Sequence, residues 1–365
     1  APEHIKVFRV ISQTGLDLSK SLDFSLNVKR EKGMVYPEII RKSFDYKLDV
    51  PERFYDVPAG DNKTWISIWQ QRAAELGILG AALLILTILL AQQRWLTAHA
   101  RRFTILRVSF LLFTLGFIGW YAQGQLSIVN MTGLLLALKE GRSLSFFLYD
   151  PMTVTLWAFV AITFFIWGRA TFCGWLCPFG ALQELVARAA RFLRVPQIRL
   201  HTANDARLKW VKYGLLAAIL GSALFAPQIT DMLVEIEPFK TGITLMFVRS
   251  WPFVLYAGFL VGASAVMYKF FCRYVCPFGA GLAILGKLRL FKWLARRAEC
   301  GTPCQTCRHR CDYQAIKPDG AIAYDECFQC MDCVVIYHSD QQCAPRIMQI
   351  KRGVTIPIRA VPVEA

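Results

Sequence analysis

The residues of this chain with the most chemistry to offer are its twelve cysteines, and they are not scattered. Cys300, Cys304, Cys307 and Cys311 form one run, Cys327, Cys330 and Cys333 a second, and Cys343 closes the stretch. An iron–sulfur cluster needs thiolates spaced so that one short loop wraps a face of the cube, and C-x2-C-x2-C does this. Cys327, Cys330 and Cys333 have that spacing; Cys300, Cys304 and Cys307 are one residue looser in the first gap. Structural zinc also takes paired cysteines, usually four from two pairs. The triplets favour iron–sulfur, and disulfides do not suit a reducing cytoplasmic face.

The remaining four cysteines sit in a repeat. Cys173-Gly-Trp-Leu-Cys177-Pro-Phe-Gly-Ala matches Cys272-Arg-Tyr-Val-Cys276-Pro-Phe-Gly-Ala, with Pro151 and Pro252 ahead of the two copies. Repeated span pairs usually pack about a pseudo-symmetry axis, so Cys173, Cys177, Cys272 and Cys276 are expected to converge. Three readings stay open for them: a metal or Fe–S site where the copies meet, a thiol set for redox chemistry or Cu(I) handling, or a structural turn with free thiols. In two-cluster ferredoxins the fourth cysteine of each run ligates the other cluster. Carried over, Cys300, Cys304, Cys307 and Cys343 hold one [4Fe–4S] cluster, and Cys327, Cys330, Cys333 and Cys311 hold the second. The pattern departs at both fourth ligands: Asp312 rather than Pro follows Cys311, and the proline after Cys343 comes one place late, at Pro345. Ala315-Ile316 and Gly320 are placed like the hairpin of a ferredoxin.

Other chemistry is sparse. His4, His99, His201, His309 and His338 all fall away from the middle of any apolar block, so a transmembrane haem with paired histidine ligands is not expected. No G-x-G-x-x-G follows a strand, and no Ser/His/Asp set or catalytic carboxylate pair is evident. Glu235 and Glu237 are read mainly as exposed loop acids, with handling of quinol protons as the alternative. Trp175 and Tyr274 are read as interface anchors.

These residues need a membrane scaffold. The 365 residues are 55% apolar, in blocks of the length that crosses a bilayer. Five spans are predicted, at about Leu76–Ala91, Phe103–Tyr121, Met152–Trp167, Val211–Phe225 and Pro252–Phe271. The apolar run Ile128–Leu138 lies in the interface or re-enters. The formal net charge of +16 comes from Lys and Arg beside these blocks, where the positive-inside rule puts them; nucleic-acid binding is not expected. Charge places the end of the first span and both Cys-Pro turns on the cytoplasmic side. Residues 1–64 are polar, with strand-like alternation at Asp23–Val28 and Ser43–Leu48, and read as the tail of an extracytoplasmic domain. The expected organisation is a multi-span α-helical membrane protein with a C-terminal two-cluster ferredoxin-like domain and a β-containing N-terminal tail. Its parts are residues 1–64, a membrane domain over 65–299, the cluster domain over 300–345 and a tail over 346–365.

Phe172-Cys-Gly-Trp-Leu-Cys-Pro-Phe-Gly-Ala-Leu-Gln183 and Glu326-Cys-Phe-Gln-Cys-Met-Asp-Cys-Val-Val-Ile-Tyr-His338 resemble the NosR/NirI family of membrane iron–sulfur flavoproteins. The resemblance covers about residues 40 to 345. The paired C-x3-C-P turns alone are also similar to those of NapH-type quinol dehydrogenases and CcoG-type copper-handling ferredoxins. The resemblance implies a multi-pass protein of the bacterial inner membrane, its N-terminal domain periplasmic and its clusters cytoplasmic. It would supply electrons to periplasmic nitrous oxide reductase and support the maturation machinery of that enzyme, with the quinone pool as a further partner. It implies covalent FMN in the parent protein, on no residue of this chain; Ser12-Gln13-Thr14-Gly15 is not its attachment sequence. The alternatives are a copper-binding or copper-reducing assembly factor and a quinol dehydrogenase.

Overall fold

The computed structural model describes residues 21–32, 38–48, 65–139, 141, 144–291, 293–294 and 296–352. The chain divides into two compact units, residues 1–64 and 65–365. In the first, β1 (Leu22–Lys32) and β2 (Glu38–Leu48) pair antiparallel, with Phe24 opposite Tyr46 and Leu26 opposite Phe44. Both alternating stretches of the sequence fall inside these strands. Their aromatic and aliphatic face is open, with Tyr46 65% exposed. A lone two-stranded hairpin is marginal in water, so this face calls for a covering surface. Of the predicted parts 1–64 and 346–365, residues 1–20, 33–37, 49–64 and 353–365 lie outside the described residues.

The second unit is helical. Helices α1 (Trp65–Gln71), α2 (Ala73–Ala91), α3 (Gln93–Thr97) and α4 (Ala100–Phe113) come first, and α4 runs on as a π-helical segment to Tyr121. Then come α5 (Ile128–Lys139), α6 (Pro151–Trp167), α7 (Pro178–Phe192), α8 (Thr202–Phe225), α9 (Pro227–Val234), α10 (Trp251–Val266) and α11 (Pro277–Leu285). Short α12 (Thr306–Arg310) and α13 (Asp332–His338) precede α14 (Ala344–Arg352).

Helices occupy all five predicted spans. Three, Ala73–Ala91, Ala100–Tyr121 and Thr202–Phe225, are long and apolar enough to cross a membrane. Helices α6 and α10 have 17 and 16 residues, about 25 Å of helix against an apolar bilayer core of about 30 Å. The fourth span starts earlier than predicted, at Thr202, and the fifth ends at Val266 rather than near Phe271.

Both short helices end for the same reason: the chain turns back into the bundle to present a Cys-Pro turn. After α6, Gly168 takes φ +79°, a left-handed conformation that glycine adopts without steric cost. Phe172–Leu176 then forms a π-helical segment and Pro178 starts α7. A Cβ on Gly119 would lie 2.7 Å from Pro178 Cβ, so α7 begins against the far end of the Ala100–Tyr121 helix. The other end of α7, at Arg188 and Arg191, lines a cleft with Ala100 and Thr104. The first turn therefore sits inside the helical bundle, well away from the Ala100 end of that helix.

Candidate iron–sulfur site

The Cys-Pro-Phe-Gly-Ala sequence is a helix-start device. Cys177 is the N-cap of α7 and its Sγ accepts from Gly180 N–H at 3.4 Å; Cys276 caps α11 the same way, from Gly279 N–H at 3.2 Å. Proline takes the first helical position, where its missing N–H costs nothing. A Cβ on Gly279 would stand 3.3 Å from Cys276 Sγ, so glycine keeps the N–H close to the sulfur.

The phenylalanines exchange between copies. Phe179 of the first packs edge-on to Phe271 of the second at 5.5 Å, and Phe278 of the second packs edge-on to Phe172 of the first at 5.6 Å. This reciprocity is what a pseudo-two-fold arrangement produces, and it brings the predicted four together. Cys173, Cys177, Cys272 and Cys276 are all buried, and their thiols interact electrostatically with one another. Gln183 Nε2 donates to Cys272 Sγ at 3.0 Å. Trp175 and Tyr274, read from the sequence as interface anchors, are each 1% exposed. They are core residues, because the turns that carry them lie within the bundle.

The cysteines of 300–343 separate into two sets. Cys311, Cys327, Cys330 and Cys333 line one cavity together with Cys307, Tyr313 and Ile336. Cys300, Cys304 and Cys307 line a second, beside Arg296 and Lys317. Cys343 is buried, accepts from Arg297 at 3.0 Å, and lies close enough to Cys307 to raise its thiol. Cys311 thus lines the cavity of the second triplet, and Cys343 lies near Cys307 of the first. Burial first, and neighbouring thiols after it, push Cys307 up to about 11. Gln329 and Met331 flank Cys330 at φ +49° and +61°, curling the loop around its cavity. An isolated Ile316–Ile322 bridge closes the hairpin expected there. Gly301 and Gly320 have to be glycine: a Cβ on either would stand 2.2 Å from the other strand's backbone.

Among the described residues, no three Cys, His, Asp or Glu side chains close on a point that would hold a single metal ion. A lone zinc ion, with Zn–S bonds of about 2.3 Å, needs thiolates within about 4 Å of one another. The sulfur-only sets lining the two cavities, with Arg296 and Arg297 beside the first run, are donors of the kind an iron–sulfur cluster takes.

Sequence reasoning missed how the sites are joined. Phe328, between Cys327 and Cys330, is 1% exposed and enters the membrane bundle. A Cβ on Gly174 would stand 2.1 Å from Phe328 carbonyl oxygen, so the two backbones touch. Trp175 Nε1 donates to Gln329 carbonyl at 3.2 Å, and Gln329 Nε2 donates to Trp167 carbonyl at 2.9 Å. The Arg169 guanidinium lies 4.7 Å and the Lys269 ammonium 5.6 Å from the centre of the Phe328 ring, which stacks on Tyr313 at 4.6 Å. Below this joint Glu184, fully buried, accepts from Arg107 at 2.7 and 2.9 Å and pairs with Lys269 at 3.0 Å. Burying charges is costly unless they are paired and bonded, and this cluster is. The one available sequence signal was that the first copy has Gly174 where the second has Arg273.

Glu237 was also misread. It is 5% exposed, and accepts from Ile128 N–H at 3.0 Å and Phe278 N–H at 3.4 Å. It ties the loop after α9 to the start of α5 and to the second Cys-Pro turn. Burial raises its carboxyl to about 8, against those two hydrogen bonds. Glu235 does stay partly exposed, in an ion pair with Arg249 at 2.6 Å.

Fold and site together define a membrane protein with a C-terminal iron–sulfur domain. The NosR family model matches residues 298–354, and a 4Fe-4S binding domain matches residues 149–196 and 250–296, the two Cys-Pro copies. "Regulatory protein NosR" of Stutzerimonas stutzeri is 43% identical over 95% of this chain and 49% of its own length. "Protein NirI" of Paracoccus denitrificans is 39% identical over 80% of this chain and 43% of its own. "Putative electron transport protein YccM" of Escherichia coli is 30% identical over 58% and 60%. The chain belongs to the NosR/NirI family. It spans about half the length of the first of these relatives. No solved structure matches it.

Proposed function

We propose that this chain is the membrane and ferredoxin part of an inner-membrane protein that carries electrons in support of nitrous oxide reductase. It serves both the activity and the maturation of that periplasmic enzyme. Cys300, Cys304, Cys307 and Cys343 hold one [4Fe–4S] cluster, and Cys311, Cys327, Cys330 and Cys333 the other. Cys173, Cys177, Cys272 and Cys276 hold a third iron–sulfur group. Such clusters, when bound, supply one-electron carriers. The protein's part is to bring thiols together, exclude water and fix the distances. An FMN in the parent protein and a periplasmic N-terminal domain belong to this reading through the family resemblance. So does a cytoplasmic ferredoxin stretch.

The observation that carries the reading is the Gly174–Phe328 contact, where the loop around one cysteine set touches the loop around another. A copper-handling factor has no need to press a ferredoxin loop against the four-cysteine site; an electron route does. The test is metal analysis with low-temperature EPR on the dithionite-reduced protein. Iron in cluster amounts with interacting signals is expected, and Cys330→Ala removes one cluster. Stoichiometric copper on the four-cysteine site, with no cluster iron, overturns the reading.

A further inference from the structure

A cleft of about 380 Å³ opens between the start of α4, the end of α7 and the ferredoxin stretch. Arg188, Arg191, Arg199 and Arg310 line it, against only two carboxylates, Asp312 and Asp332. Asp312 is shared, accepting from Arg191 at 2.6 Å and Arg199 at 3.2 Å. Arg188 turns to Glu184 at 3.1 Å, and Arg310 bonds the neutral Gln342 at 3.0 Å. Four guanidiniums around one cavity repel each other, and the local carboxylates leave cationic charge over. One wall is apolar and aromatic: Phe103, Val335, Ile336 and Tyr268, whose ring lies 4.4 Å from the Arg191 guanidinium. Guanidinium forks match phosphate oxygens in pairs, and an apolar wall receives what the phosphate is attached to.

We propose that this cleft binds a phosphate-bearing amphiphilic anion, its phosphate among Arg191, Arg199 and Arg310 and its apolar part against Phe103 and Tyr268. Two sources share that chemistry. One is an anionic phospholipid headgroup, since the cleft opens where the apolar Ala100–Tyr121 helix begins. The other is a soluble phosphorylated molecule with an aromatic part. Arg310, Asp332 and Ile336 also line the cavity of Cys311, Cys327, Cys330 and Cys333. An occupant is therefore a neighbour of that cysteine set.

The experiment uses the whole chain purified in detergent, with iron content checked for every variant. Flavin mononucleotide and pyrophosphate are titrated calorimetrically, and native mass spectrometry follows phosphatidylglycerol carried from the membrane. One probe is expected to bind in a salt-dependent way. Its affinity should fall at least about tenfold in Arg199→Gln and Arg310→Gln, one lost charged contact each, and rise in Asp312→Asn, which frees two guanidiniums. Retention of phosphatidylglycerol without binding of the soluble probes assigns the site to lipid; the converse assigns it to a soluble molecule. If all three probes bind the Arg310→Gln protein as they bind the unaltered one, or none binds either, the proposal is overturned. Because iron is measured alongside, that outcome leaves the cluster reading standing.

Discussion

The two Cys-Pro copies start from nearly the same words and end with different duties. Both cap a helix with a cysteine sulfur, and both offer a phenylalanine to the other copy. They diverge at six of the matched positions 173–184 and 272–283, and three of these carry the difference in duty. The first copy has Gly174, Gln183 and Glu184 where the second has Arg273, Leu282 and Ala283. Gly174 admits the Phe328 backbone, Gln183 reaches across to Cys272, and Glu184 anchors Arg107 and Lys269. The second copy instead sends Arg273 to Asp205 at 2.5 Å and to Asp312 carbonyl at 2.9 Å, and takes Glu237 onto its helix start. The shared residues build the four-cysteine site. The differing ones let the first copy take the Phe328 backbone, while Arg273 ties the second to Asp205 and to the Asp312 carbonyl.

Making the first copy resemble the second should break these duties in order of size. Glu184→Ala, the residue of the second copy, strips the partner from two fully buried cations. A cost of about 3–5 kcal/mol is expected, read as a large fall in melting temperature in detergent. Gly174→Ala puts a Cβ into the Phe328 carbonyl, and the backbone must shift. About 1–3 kcal/mol is expected for such overpacking, together with weaker magnetic interaction in EPR between the sets it separates, at unchanged iron content. Ala280→Gly, a small change in the second copy away from the joint, should leave that interaction alone.

Gln183→Leu copies Leu282. It removes the donor to Cys272 Sγ and the acceptor of Phe271 N–H, while Ser264 Oγ keeps the Leu260 carbonyl. About 1–3 kcal/mol is expected for the orphaned N–H, and a sulfur that loses an N–H donor should lower the reduction potential of a cluster bound there. The last expected effect is a pH dependence at the second copy. Glu237 holds its proton to about pH 8 in the folded protein, whereas an unfolded glutamate releases it near pH 4.3. Above the lower value the unfolded state gains by ionising, so stability falls as pH rises between the two and levels off above about 8. Melting curves across that window should show the slope, and Glu237→Gln should flatten it.

Much of this was legible in the sequence because short-range spacing decides it. The triplets and the repeat follow from intervals of a few residues. The helices at all five predicted spans follow from apolar run length. What was hidden depends on the path between elements. Reading Trp175 and Tyr274 as interface anchors assumed that the chain stays at the membrane edge after α6 and α10; Gly168 and a five-residue π segment carry it back inside. Glu237 read as a loop acid because composition cannot say that its loop packs against Ile128 and Phe278. The Gly174–Phe328 contact joins residues far apart in the chain, and only the contrast of Gly174 with Arg273 hinted at it.

The central claim is that the four buried cysteines of the repeat hold an iron–sulfur group joined to the ferredoxin stretch. The direct measurement is iron and sulfide stoichiometry of the purified protein against a Cys173→Ser/Cys272→Ser double variant, with copper measured in parallel. The account predicts that the variant loses the iron of one cluster and keeps that held by Cys300 to Cys343. Unchanged iron, or a loss of copper in its place, would contradict it.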